Sequence, residues 1–136
     1  MSTSKATVPS PLAETLIQLK SATSTPALNV TGSAGGGGAD EKIYIVQVNN
    51  TLNTTTCYTK IYNANAVTAG ETVPDVVLPC PGGATIEYVL LEGIPMAEGG
   101  GGAPSKGIST ITVVEPGTGG NTSPTGAVGV RLLIDT

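Results

Sequence analysis

The sequence predicts an all-β fold: an antiparallel β-sandwich, jelly-roll-like, with an extended N-terminal arm. Three observations predict it. Beyond residue 40, apolar residues recur with a period of two in about six segments, and none of these keeps a helical period. Between them lie loops rich in Gly and Pro, of which the chain has 19 and 10, the punctuation of short strands. With no Trp, no Phe and only 4 Tyr, the core must be filled by Val, Ile and Leu, whose branched side chains suit a pleated surface. The 136 residues correspond to one domain, which buries roughly two thirds of its unfolded surface.

Residues 1–39 read differently and are taken as the arm. Ser10 can cap a helix that has Pro11 at its first position, Leu12, Leu16, Ile17 and Leu19 along it and Lys20 in its last turn. A helix of about ten residues is marginal alone in water and needs a surface to lie on. Residues 27–30 (ALNV) offer a short strand, and the four glycines at 35–38 a joint. The plain reading is a disordered tail. The spaced Leu and Ile residues, scarce in such tails, favour an arm that orders on a partner, with Leu12, Leu16, Ile17 and Leu19 as its gripping stripe.

The sandwich domain is expected over residues 40–136, stable without the arm. Residues 42–48 (KIYIVQV) are apolar on both faces, with Ile43 and Ile45 on one and Tyr44, Val46 and Val48 on the other, as in a central covered strand. A hairpin then leads to the strand at 55–62, with Cys57, Thr59 and Ile61 opposite Tyr58, Lys60 and Tyr62. The run Val76, Val77 and Leu78, bracketed by Pro74, Pro79 and Pro81, reads as an edge strand, since proline cannot donate to a ladder. Strands follow at 84–91, 106–114 and 127–134. A long mobile loop is expected at 92–105 and a turn-rich one at 115–126.

Composition narrows the chemistry. There is no His, hence no usual general base or pH switch. Charged residues make up 12% of the chain and the net charge is −4, which does not suit nucleic acid. No apolar run approaches the ~18 residues of a membrane span, and no apolar stretch follows a basic start as in a secretory signal. Cys57 and Cys80 are too few for a zinc site; they are buried thiols or one bridge. The glycines at 35–38 and 99–102 lack the Lys-Ser/Thr or strand-to-helix setting of a phosphate loop. Glu71 and Asp75 are spaced as solvated loop acids rather than a catalytic pair. No enzyme, cofactor or metal site is expected. Tyr58, Tyr62, Val76, Val77 and Leu78 are core residues on the plain reading and interface anchors if exposed.

Three stretches carry a resemblance: residues 42–86 (KIYIVQVNNTLNTTTCYTKIYNANAVTAGETVPDVVLPCPGGATI), the strand KGISTITVV and the ending TGGNTSPTGAVGVRLLI. Within them, Tyr62-Asn63-Ala64 ends a strand, residues 70–75 (GETVPD) form a loop and residues 78–83 an aliphatic–Pro–Gly segment. The chain thus resembles the small β-sandwich head decoration, or cement, proteins of tailed bacteriophages. The loop at 95–104 departs from the simplest pattern, and residues 1–39 lie outside it. The resemblance implies a structural virion protein, made in the host cytoplasm, that binds the major capsid protein on the assembled capsid surface and braces the lattice. A homo-oligomer, most naturally a trimer on a symmetry axis, is expected. A head-fibre base, a tail-tip component and a carbohydrate-binding sandwich are the other readings.

Overall fold

The computed structural model describes residues 15–28, 30, 41–96 and 107–135. The helix expected at residues 10–20 does not form over its described residues, 15–20. The described part is a strand, β1 (Thr15–Leu19), and six more follow: β2 (Glu41–Asn49), β3 (Cys57–Asn63), β4 (Val76–Cys80), β5 (Thr85–Met96), β6 (Ile108–Val113) and β7 (Gly129–Asp135). They form two sheets whose pairings are all antiparallel, four strands in the order β1-β7-β2-β5 and three in the order β4-β3-β6. The fold is an all-β sandwich.

The N-terminal segment belongs to this sandwich rather than to a free arm. Thr15 pairs with Ile134 and Leu19 with Val130, so β1 extends the larger sheet beyond β7. Helical spacing loses because β7 offers an unpaired edge, and only an extended chain can use it. The chain then crosses to the smaller sheet. The amide of Ala22 donates to Val128, that of Thr112 to Thr23, and Ala27 exchanges two hydrogen bonds with Thr110. The amide of Val30 donates to Ile108, so that Thr23, Ala27 and Val30 all bond along the outer edge of β6. Ile17, Leu19 and Val30 pack on the main core, and Ala22 is buried in it. The sandwich therefore begins before residue 40. Leu12 and the glycines at 35–38 lie outside the described residues.

The expected hairpin between residues 42–48 and 55–62 is also replaced. β2 pairs with β5 and β7, and β3 lies in the other sheet. Two buried asparagines turn the chain across. The Asn50 side-chain amide donates to the carbonyls of Thr55 and Cys80, and Asn53 donates to the Asn50 side chain and to the Gly126 carbonyl. Asn53 also accepts from the amide of Gly126. A side-chain network satisfies backbone groups that a two-strand hairpin would have paired directly. Gly82 closes the same corner; a β-carbon there would overlap the Thr54 carbonyl group.

The main core lies between the sheets. Val130, Leu132 and Ile134 from β7, with Val128 just before it, face Cys57 and Ile61 from β3, Leu78 and Cys80 from β4, and Ile108 from β6. In β2, Ile43 and Val46 both point inward, although three residues apart, because a bulge at Tyr44 resets the alternation. The expected pairing of Ile43 with Ile45 on one face is thus broken, and Ile45 turns outward. β5 bulges more strongly: it takes five residue steps, from Val89 to Ile94, where β2 takes two. Gly93 permits this, with φ of 73° and the Tyr44 ring 2.9 Å from where its β-carbon would stand. Residues 92–96, expected in a mobile loop, are strand residues.

A second, smaller core covers the outside of the three-stranded sheet. Tyr62, Ile111 and Val113 are buried there beneath Ala64, Val67 and Ala69 of the β3–β4 loop. Lys60 lies fully buried on the same strand face, its Nζ donating to the Gly117 carbonyl at 2.5 Å. The loop that carries Gly117 is held further by Glu115, whose carboxylate accepts from the amide and hydroxyl of Thr122.

Candidate functional site

The residues singled out from sequence do not converge. Tyr62 is 1% exposed and Leu78 is buried, so neither can anchor a partner. Val76 packs on the main core from the edge strand, Tyr58 is half-buried, and only Val77 is exposed. The proposed arm stripe divides by strand geometry: Ile17 and Leu19 face the core, whereas Leu16 faces solvent, 55% exposed. Alternation puts neighbours on opposite faces, so a helical stripe cannot survive in an extended chain.

What does converge is the outer face of the four-stranded sheet. Leu16 pairs with Leu133, Leu133 with Ile45, and Ile45 with Val89. One cross-strand row therefore carries four aliphatic side chains, with Leu16 and Val89 more than half exposed and Leu133 and Ile45 partly so. The next row is Gln18, Arg131, Gln47 and Glu87, in register across the same four strands. A shallow groove of about 160 Å³ runs between the rows, lined by Leu16, Ile45, Leu133, Gln47, Glu87 and Arg131. Leu91, 80% exposed, stands on the neighbouring bulge of β5. Other exposed aliphatics, such as Leu28, Leu52 and Val73, stand singly outside strands. A row of facing aliphatics on a rigid sheet is a place where protein surface loses water to a partner.

Beyond Arg131, Gly129 leaves a gap in this face. A groove of about 210 Å³ there is rimmed by Gln18, Lys20, Gln47, Asn49 and Arg131. Polar groups thus border the aliphatic row, as at the rim of a protein interface.

The nucleophile-bearing residues sit elsewhere, inside the protein. Cys57 and Cys80 are free, buried and directly opposite in the β3–β4 ladder. Burial, with the neighbouring Cys80, pushes the Cys57 thiol from 9.0 up to about 11. Burial also raises Cys80 and Tyr62, and it lowers Lys60 against the attraction of Glu115. Neutral thiols are poor nucleophiles, so this pair reads as packing. It has a measurable consequence. Between pH 9 and 11 the unfolded chain releases the Cys57 proton while the folded chain keeps it, so stability falls as pH rises. The loss reaches about 2 kcal/mol by pH 11 and its full two-unit value, about 3 kcal/mol, only above it. Cys80 and Tyr62 act in the same direction, and Lys60 opposes them. The melting temperature is expected to fall above pH 9, and Cys57→Val to remove the largest part of that fall; a curve unchanged by the substitution contradicts the assignment.

Among the described residues, no group of three His, Cys, Asp or Glu side chains could hold a metal ion, and no helix is long and apolar enough to cross a membrane. No family model, curated protein or solved structure matches the chain.

Proposed function

We propose that this chain is a structural protein of the phage head decoration class, which binds the major capsid protein on the outer surface of an assembled lattice and braces it. The observation that carries the reading is the exposed aliphatic row Leu16–Leu133–Ile45–Val89 on a rigid sheet. Among the described residues, the inner strand faces build the main core and loops cover β3 and β6 on the outside of the smaller sheet, which leaves only Val77 and Pro79 of the edge strand β4 exposed there. The resemblance of residues 42–86 and of the last strands to head decoration proteins supplies the kind of partner, a repeated protein surface. A rigid module that loses apolar area within such an assembly gains about 25 cal/mol per Å² of apolar surface covered, before the costs of association.

The test is partner class. The purified protein is titrated onto empty capsids and, separately, onto a glycan array. Saturation at a fixed number of copies per capsid, with no glycan retained, is the expected result. Glycan binding without capsid binding overturns the reading in favour of a carbohydrate-binding sandwich.

A further inference from the structure

We infer that the outer face of the four-stranded sheet pairs with the same face of a second copy of this chain, about a two-fold axis running along β2. The inference rests on the reading of that face as an association surface, and it names the partner. It follows from the register. β2 has β7 on one side and β5 on the other. A two-fold axis along β2 therefore lays β7 of one copy over β5 of the other, and β2 over β2. In the aliphatic row, Ile45 is flanked by Leu133 and Val89. Rotation sets Ile45 on the partner's Ile45 and Leu133 on the partner's Val89, twice. In the polar row, Gln47 is flanked by Arg131 on one side and Glu87 on the other. The same rotation sets Arg131 against the partner's Glu87, twice, and Gln47 against the partner's Gln47.

The aliphatic row is thus symmetric about β2 in character, and the polar row is opposite in sign. Both are what self-pairing by a two-fold needs, because each patch must complement itself. Opposite charges meet, and no like charges of these two rows are brought together. Facing sheets pack about 10 Å apart, a spacing that interdigitated Ile, Leu and Val side chains fill. A pairing that spans three strands of each copy is small, so it is concentration-dependent, and its charge pairs make it weaken with salt. On a lattice, two copies held on neighbouring capsid proteins would pair across the gap between them, and this link is how a small sandwich braces a shell.

The experiment is sedimentation of the full chain over a range of concentrations, without capsids, for wild type, Arg131→Glu, Glu87→Arg, the double exchange and Ile45→Asp. Arg131 and Glu87 are exposed, so melting curves of the single variants should match wild type. Wild type is expected to dimerise. Each single exchange should weaken dimerisation at least about tenfold, and the double exchange should restore it to within about threefold. Ile45→Asp, which sets two carboxylates on the axis, should abolish it. A wild type that stays monomeric, a trimer, or a double exchange no better than the singles overturns the inference. The two proposals fail separately. A monomer whose capsid binding is lost with Ile45→Asp leaves decoration standing with the face on the capsid itself. A dimer that never binds capsids leaves the pairing standing and removes decoration.

Discussion

A chain shortened to residues 40–136 is expected to lose its cooperative melting transition. The shortening removes β1 and the segment at 22–30, which together cover the open edges of β7 and β6. It also takes Ile17, Leu19, Ala22 and Val30 from the main core. At about 1.5–3 kcal/mol for a fully buried aliphatic side chain, and less for the half-buried ones here, the loss is on the order of 5 kcal/mol. Stabilities of small domains run from about 5 to 15 kcal/mol, so a loss of this size leaves little or no margin. A pair of single substitutions separates packing from exposure. Ile17→Asp, facing the core, should cost about 3 kcal/mol, whereas Leu16→Asp, facing solvent one residue earlier, should cost under about 1 kcal/mol. Urea unfolding of both checks this; equal midpoints would show that β1 lies outside the cooperative unit.

Lys60→Ala should produce the second large effect, on the order of 3 kcal/mol. The lysine stem fills the small outer core beside Tyr62 and Ile111, and its ammonium satisfies the Gly117 carbonyl. Truncation leaves a cavity and an unpaired carbonyl together. Lys60→Met keeps most of the volume and gives up only the hydrogen bond and the buried charge, so it should cost about 1 kcal/mol. A denaturation series that ranks Met below Ala would show that the charge, not the packing, sets the role of this residue.

These two sites mark where sequence reading stops. The run that became β7 was legible because only one of its faces is buried, and period two then appears directly, as in Val128, Val130, Leu132 and Ile134, whereas β3 and β6 alternate in sequence although both of their faces are buried. The edge position of β4 was legible from Pro79. β1 was not, because Leu12, Leu16 and Leu19 fit a helical spacing and the competing signal, an unpaired edge on β7, lies more than a hundred residues away. The phase of β2 was hidden by the bulge at Tyr44, which moves Ile45 from the core to the outer face. The candidate site was illegible for the same reason: its four aliphatics come one from each of four strands, and only register brings them into a row. Lys60 shares a strand face with Tyr58 and Tyr62, and nothing local announces the loops that fold over it.

The central claim is that the outer face of the four-stranded sheet is the surface by which the chain joins the assembly, so that spoiling it weakens occupancy whether a second copy or the shell covers it. Its most direct measurement is occupancy of empty capsids against protein concentration for wild type and Leu133→Asp, with melting curves taken in parallel. Leu133 lies in the middle of the aliphatic row and is partly exposed, so a carboxylate there should leave the fold cooperative while opposing burial of the row. The account predicts at least about tenfold weaker occupancy, or about 1.4 kcal/mol, with a melting transition retained. Superimposable occupancy curves for two folded proteins would contradict it.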